Sequence, residues 1–500
     1  MCRLCDQGRP PVDCESRRDF LKASLVAGAA AAGVFAATSV ASAQEAPSGT
    51  GEDGRRILIK GGHVLSMDPE VGDFAEADVL VVGRHIEAIG PNLEAGGAEI
   101  IDAAGMIVMP GFIDTHHHQF ETALRSFLAD GILVNDGKPE NAINYYEYIL
   151  QKFSMVYRPE DVYINELFGS LAQLDAGVTT VMDVSQIHHS PEHSDAAVKA
   201  LQDAGRRSVF GYFEGWGDRA KYPADARRLK EQYFSSDDQL LTMVMGGEIY
   251  IPGYEEAWKI GRELDIPIAL HVVGTFGMRP TFDQLAEAGM FGADNIFIHM
   301  TGMSDMAWQK AADAGSHVSL AVPIEMAMRH GMPPIQKAID MGMQPSLSSD
   351  VECTMTADPF TQMRSTFTLQ RAFANEKALA GDANVPRLIT SHDVIRYATL
   401  EGAKGLKLSS RTGSLTPGKE ADIVLLDATA INVTPLNHVP GAVVTLMERS
   451  NVDSVMVAGK LRKWKGKLLD VDLPKLRREL EASRDHLFAA AGVERDLFRG

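Results

Sequence analysis

Between residues 110 and 400 the chain repeats one pattern: a short apolar run, then a longer stretch with apolar positions at i, i+3 and i+4. The apolar runs are "MIVMPGFID" (106–114), "VTTVMDV" (178–184), "RSVFGYFEG" (207–215), "LLTMVMGGEIYI" (240–251), "PIALHVV" (267–273), "NIFIHM" (295–300), "HVSLAV" (317–322) and "QPSLSSD" (344–350). Between them lie helix-like segments such as "SDAAVKALQDAG", "YEEAWKIGRELD", "TFDQLAEAG" and "SDMAWQKAADAG", which end at Gly or Asp. Eight strand–helix units predict a (β/α)8 TIM barrel over 110–403, within the α/β class. In that fold, functional groups gather at the C-terminal ends of the strands.

The flanks differ. Residues 56–109 and 404–470 read as short alternating strands separated by Gly, Pro and Asp turns. They predict one discontinuous β-sandwich domain assembled from both sides of the barrel. Residues 471–500, with "LPKLRRELEASRDHLFAAAG", predict a C-terminal helix. The first 43 residues predict a twin-arginine (Tat) signal peptide: "SRRDFLK", a weakly apolar Ala/Gly-rich run, and the small-x-small site Ala41-Ser42-Ala43. The weak hydropathy and the cleavage site argue against a stable membrane anchor. The expected route is export through the Tat machinery, already folded, to the periplasm. Of four cysteines, Cys2, Cys5 and Cys14 fall in this leader. Only Cys353 remains, so the mature chain forms no internal disulfide, and Cys2-x-x-Cys5 lacks the second pair of a zinc site. The formal net charge of −19 argues against nucleic acid or an anionic membrane as partner.

Polar residues mark the strand ends. His116 and His118 share one face of the first strand, and His117 points the other way. His271 ends the fifth strand, His299 the sixth and Asp350 the eighth. A barrel would bring them to one rim. Imidazoles with one carboxylate suit a single divalent metal ion, Zn2+ first, with Fe2+, Mn2+ or Co2+ also matched by these donors.

The pieces "PGFIDTHHH", "LDAGVTTVMD", "IALH", "IHMTGMSD", "PSLSSD" and "GSLTPGKEADIVLLD" run in the order found in the amidohydrolase superfamily. The chain resembles its branch of triazine hydrolases and guanine and cytosine deaminases over about residues 56–465. That resemblance implies His116, His118, His271 and Asp350 as metal ligands. It implies His299 as the group that binds the substrate's polarised atom, or a second metal. Asp350 would take a proton from metal-activated water and pass it to the leaving group, and His299 would stabilise the charge that develops. The resemblance also suggests a homo-oligomer.

One departure bears on the reaction. Deaminases of this branch carry His-x-x-Glu on the fifth strand, and here the stretch is His271-Val-Val-Gly274. Glu248, at the end of the fourth strand, is the candidate substitute, as proton shuttle or metal bridge, beside a plainer reading as a hydrogen-bonded rim residue. Glu352 is expected in a loop after the eighth strand. No lysine occurs in "LTMVMGG", so a carbamylated bridge has no donor there. His188, His189 and His193 are expected on a solvated loop, His317 at the wrong end of its strand, and His330 in a loop after the seventh strand. The long segment 119–157 is expected to cover the pocket, with Tyr145, Tyr146 and Tyr148 available to stack on a flat substrate.

The sequence thus predicts a metal-dependent amidohydrolase that cleaves a non-peptide carbon–nitrogen bond in a small cyclic or aromatic molecule. The alternatives are a deaminase or dechlorinating hydrolase of a nitrogen heterocycle and, in another class, a non-catalytic relative that only binds a ligand.

Overall fold

The computed structural model describes residues 45–498, so the expected leader and its three cysteines lie outside the described residues. Seven complete barrel strands run Phe112–His118, Val178–Ser185, Arg207–Tyr212, Leu241–Gly246, Ile268–Val273, Asn295–Thr301 and His317–Leu320. The eighth comes in two pieces. Ser346–Leu347 pairs with the seventh strand, and Asp350–Val351 pairs with the first through Asp350 and His117. All pairings are parallel, and the two short pieces close the ring. Both faces of these strands are covered, which is why they read as unbroken apolar runs. Ile113, Met182, Val184, Val209, Val244 and Ile298 fill the interior.

The run "MIVMPGFID" proves to be two strands in two sheets, not one. Met106–Pro110 pairs antiparallel with Ile423–Asp427, and only Phe112–His118 belongs to the barrel. The chain crosses at Gly111. A Cβ there would lie 2.1 Å from Thr179 Oγ1, so only glycine lets the backbone pass against the second barrel strand. The Met106–Pro110 pairing also joins the two flanks. Arg56–Val64, Phe74–Val82, His85–Gly90 and Glu99–Asp102 lie on its side, and Val452–Val457, Lys460–Trp464 and Lys467–Leu468 continue from Ile423–Asp427. The nine strands form one hydrogen-bonded sheet.

The long connection after the first barrel strand folds as three short 3-10 segments, Gln119–Leu124, Pro139–Asn141 and Ser154–Val156, and a π-helix, Tyr145–Phe153. The C-terminal helix, Leu473–Ala491, braces it: the Phe488 ring packs 5.0 Å from Phe153 and 5.5 Å from Phe127.

A buried ion cluster ties the barrel to the flanking sheet. Arg207, first residue of the third strand, reaches Glu420 at 2.6 Å and Asp422 at 2.8 Å, and Arg411 takes the other Glu420 oxygen at 2.7 Å. Burial pushes the Glu420 carboxyl up, but Arg207 and Arg411 outweigh it and hold the group at about 2. A depressed carboxylate contributes stability above its unfolded value of 4.5 and loses it as pH falls towards 2. Arg207→Met leaves two buried carboxylates short of their main partner, and should cost about 3 kcal/mol near neutral pH. The deficit should shrink as pH falls from 4.5 towards 2. Urea denaturation at several pH values checks both, and a deficit that does not vary with pH would exclude the cluster as its source.

Candidate metal centre

Each site side chain sits where a barrel strand runs out. His116 and His118 project from the last turn of the first strand towards a common point, and both are buried. Their Nε2 atoms lie 3.0 Å apart, and His271 Nε2 lies 3.1 Å from the first and 3.3 Å from the second. Asp350 Oδ1 is 3.6 Å from His116 Nε2 and 3.5 Å from His118 Nε2, and its Oδ2 is 3.6 Å from His299 Nε2. Two overlapping sets can hold an ion: His116, His118 and His271, and His116, His299 and Asp350.

Hydrogen bonds set the tautomers. His118 Nδ1 lies 2.9 Å from the Val184 carbonyl, which can only accept, so Nδ1 donates and Nε2 keeps its lone pair. His271 Nδ1 donates to Glu248 Oε1 at 2.6 Å, with the same result. Lone pairs facing one another at 3.3 Å repel unless a cation sits among them. The donor set therefore fits a divalent ion bound by nitrogen and one carboxylate oxygen. The charge states agree. Burial and mutual repulsion hold His116 and His118 far below the ordinary imidazole value, so both are neutral bases. Burial pushes His271 down, and the Glu248 charge more than restores it.

Two site residues hold unusual backbone. His299 has φ 72° and Asp350 φ 63°, both left-handed, as is Met300 at 50°. Such residues cost on the order of 1–3 kcal/mol each and persist where the surroundings dictate them. At His299–Met300 the pairing with the fifth strand slips by one residue: Val272 opposes His299 but Val273 opposes Thr301. The bulge ends the sixth strand and turns the His299 ring to the rim.

His117 faces away, with Nε2 3.3 Å from Glu352 Oε1. Glu352 follows the eighth strand and is gripped by Arg125 through two bonds, at 2.6 and 2.9 Å. Glu248 does not line the pocket. It is fully buried behind His271, where it takes the Nδ1 proton and the backbone N–H at 3.2 Å. There its carboxylate bonds to His271 and stands away from the cavity. His188 and His193 are buried, not solvated, and bond to Ser194 and to the Tyr157 carbonyl; His189 bonds to the Ser154 carbonyl. His317 bonds Ser346 at the far end of the barrel.

The metal-facing atoms open into a cavity of about 430 Å³. Tyr145 and Tyr146 line it, whereas Tyr148 packs on Phe127 instead. His330 lines it too, its ring 4.7 Å from that of His299. Gln186 and Tyr250 also line it, with Glu214 bonded to both behind them. Sequence reasoning passed over these three. The available signal was position: Gln186 directly follows the second strand and Glu214 lies just past the end of the third, Tyr212.

Imidazoles and a carboxylate on the C-terminal rim of a parallel barrel define a metal-dependent hydrolase. The chain belongs to the amidohydrolase family, whose model matches residues 107–462. It is a hydrolase acting on carbon–nitrogen bonds other than peptide bonds. A 5'-deoxyadenosine deaminase of Methanosarcina acetivorans is 25% identical over 455 residues, covering 87% of this chain and 99% of that protein. An adenosine deaminase of Xanthomonas campestris with bound zinc superposes with a TM-score of 0.73 at 23% identity, over 88% of this chain and 100% of the other. An atrazine chlorohydrolase mutant of Arthrobacter aurescens TC1, complexed with zinc and atraton, gives 0.74 at 20% identity, over 86% and 100%. Residues 16–33 match the Tat signal sequence, so the protein is exported to the periplasm by the Tat machinery. No helix among the described residues is long and apolar enough to cross a membrane.

Burial raises the Asp350 carboxyl to about 7, against the pull of His271 and His117. Metal uptake by the metal-free protein should therefore weaken as pH falls below about 7, where a proton competes for that oxygen. Cobalt titration followed by its visible absorption, above and below that pH, reads this. Uptake that ignores pH would remove Asp350 from the set of donors.

Proposed function

We propose that this protein is a periplasmic zinc-dependent hydrolase. It cleaves a carbon–nitrogen bond, of the amide or urea kind, in a small, uncharged, cyclic or aromatic molecule. The observation that carries the reading is the set of facing Nε2 lone pairs beside the Asp350 carboxylate, opening on a largely apolar cavity. His116, His118, His271 and Asp350 would hold one ion. A divalent ion held there would make water a competent nucleophile near neutral pH.

The chain's own groups divide the rest of the work. Asp350 Oδ2 is buried without a hydrogen-bond partner, so it is free to take a proton from water and return it to the leaving nitrogen. His299 Nδ1 lies 3.0 Å from Glu325 Oε1. Burial pushes the Glu325 carboxyl well above its ordinary range, against the Ala321 N–H that Oε1 accepts, and in its protonated form it can donate to Nδ1. The ring proton of neutral His299 then sits on Nε2, a donor for the oxygen that gains charge during attack. Glu248 keeps His271 in its ligand tautomer.

Gly274 holds the place where deaminases of the resembling branch carry an acid. A Cβ there would stand 3.0 Å from the Thr301 carbonyl, so the backbone packs closely at that point. Asp350 alone suffices to move one proton from water to an amide nitrogen. Among the described residues, no lysine or arginine lines the cavity, which suits an uncharged substrate. A second reading, an aminohydrolase of adenine nucleosides, is favoured by the full-length likeness to 5'-deoxyadenosine deaminases.

Zinc-loaded mature protein should release amines from aryl amides or ureas faster than ammonia from 5'-deoxyadenosine, by chromatography and an ammonia-coupled assay. The reverse order would install the second reading. Elemental mass spectrometry should find one ion per chain, lost in His116→Ala. Glu248→Gln should keep that stoichiometry with affinity weakened about 10- to 100-fold. Two ions per chain, one lost with Glu248, would overturn the mononuclear assignment.

A further inference from the structure

The cavity wall carries one polar device that the metal chemistry does not use. Gln186 donates from Nε2 to Glu214 Oε1 at 2.9 Å and to Tyr250 Oη at 3.1 Å, and Tyr250 Oη donates to the same Glu214 oxygen at 2.6 Å. An amide can turn end for end, but a carboxylate oxygen that accepts two bonds demands nitrogen from Gln186. The amide oxygen is left over. Gln186 is 4% exposed, lines the cavity, and its Oε1 is buried with no hydrogen-bond partner. A desolvated acceptor left unmatched is costly, and a ligand N–H would relieve it. The wall also carries apolar Leu133, Phe276, Met278 and Met328, and among the described residues Asp350 is its one carboxylate, with no lysine or arginine.

We propose that Gln186 is the specificity-determining residue of this pocket, its Oε1 accepting an N–H from an uncharged substrate, and that Glu214 is the positioning residue that fixes which end of the amide is left without a protein partner. The inference rests on the cavity being the substrate site of the proposed hydrolase. It narrows the substrate class to neutral molecules with a secondary amide, urea, lactam or amino-heterocycle N–H. The matching tertiary, N-alkylated compounds are disfavoured. Tyr250 completes the clamp, since its hydroxyl spends its proton on Glu214 and accepts from Gln186.

The probes are acetanilide and N-methylacetanilide, which differ at the N–H. Isothermal titration of the zinc-loaded mature protein reads binding, and hydrolysis is followed separately in the same samples. Wild type should prefer acetanilide by about tenfold. Gln186→Leu should bring the ratio near one by weakening acetanilide alone. Glu214→Gln, whose amide can donate to the Gln186 oxygen and let the side chain turn, should also erase the preference. Zinc content and melting temperature should stay at wild-type values in both. Equal affinities in wild type, a preference that survives Gln186→Leu, or no binding of either probe would overturn the assignment. Selective binding without hydrolysis of any carbon–nitrogen bond would sustain it and sink the proposed hydrolase. Hydrolysis of both probes with equal affinity would do the reverse.

Discussion

Asp350 closes the barrel and faces the histidines with the same few atoms. Its backbone pairs with His117 on the first strand, completing the ring, while its carboxylate looks across at His116 and His118. The two tasks cannot be separated. Between the two pieces of the eighth strand the Ser348 N–H donates to the Leu320 carbonyl and the Ser349 N–H to Asp114 Oδ1, and the left-handed turn at Asp350 then aims the side chain inward. The site thus depends on backbone that is locally unfavourable and is held by the strands on either side.

Behind the rim lies a regular arrangement of support. His271 leans on Glu248, His299 on Glu325, His117 on Glu352, and His118 on the Val184 carbonyl. For His271 and His118 that partner settles which nitrogen carries the proton. Two of these carboxyls are driven in opposite directions because their surroundings differ. Arg125 holds Glu352 at about 2, whereas burial pushes the Glu325 carboxyl well above its ordinary range. One residue type thereby serves as anion in one place and as acid in another.

The sequence made the barrel and the gathering of His116, His118, His271, His299 and Asp350 legible, because strand periodicity and strand ends are local properties. It did not reveal that "MIVMPGFID" changes sheets, since both halves are apolar and the crossing is decided by the Thr179 side chain more than sixty positions away. The buried state of His188 and His193 was hidden for the same reason: a histidine-rich loop looks solvated until the carbonyls that receive it are known. Glu248 was found by its position but not by its direction. Gln186, Glu214 and Tyr250 follow three different strands, and no spacing along the chain announces that they bond to one another.

The brace of the pocket cover has a consequence for the order of events. The Phe488 ring, on the C-terminal helix, packs against Phe127 and Phe153 of the segment that roofs the cavity. A ribosome delivers the barrel strands before that helix. The rim can therefore assemble while its roof still lacks its brace. A fault in that distant helix would then be felt at the cover of the pocket rather than at the donor atoms of the rim.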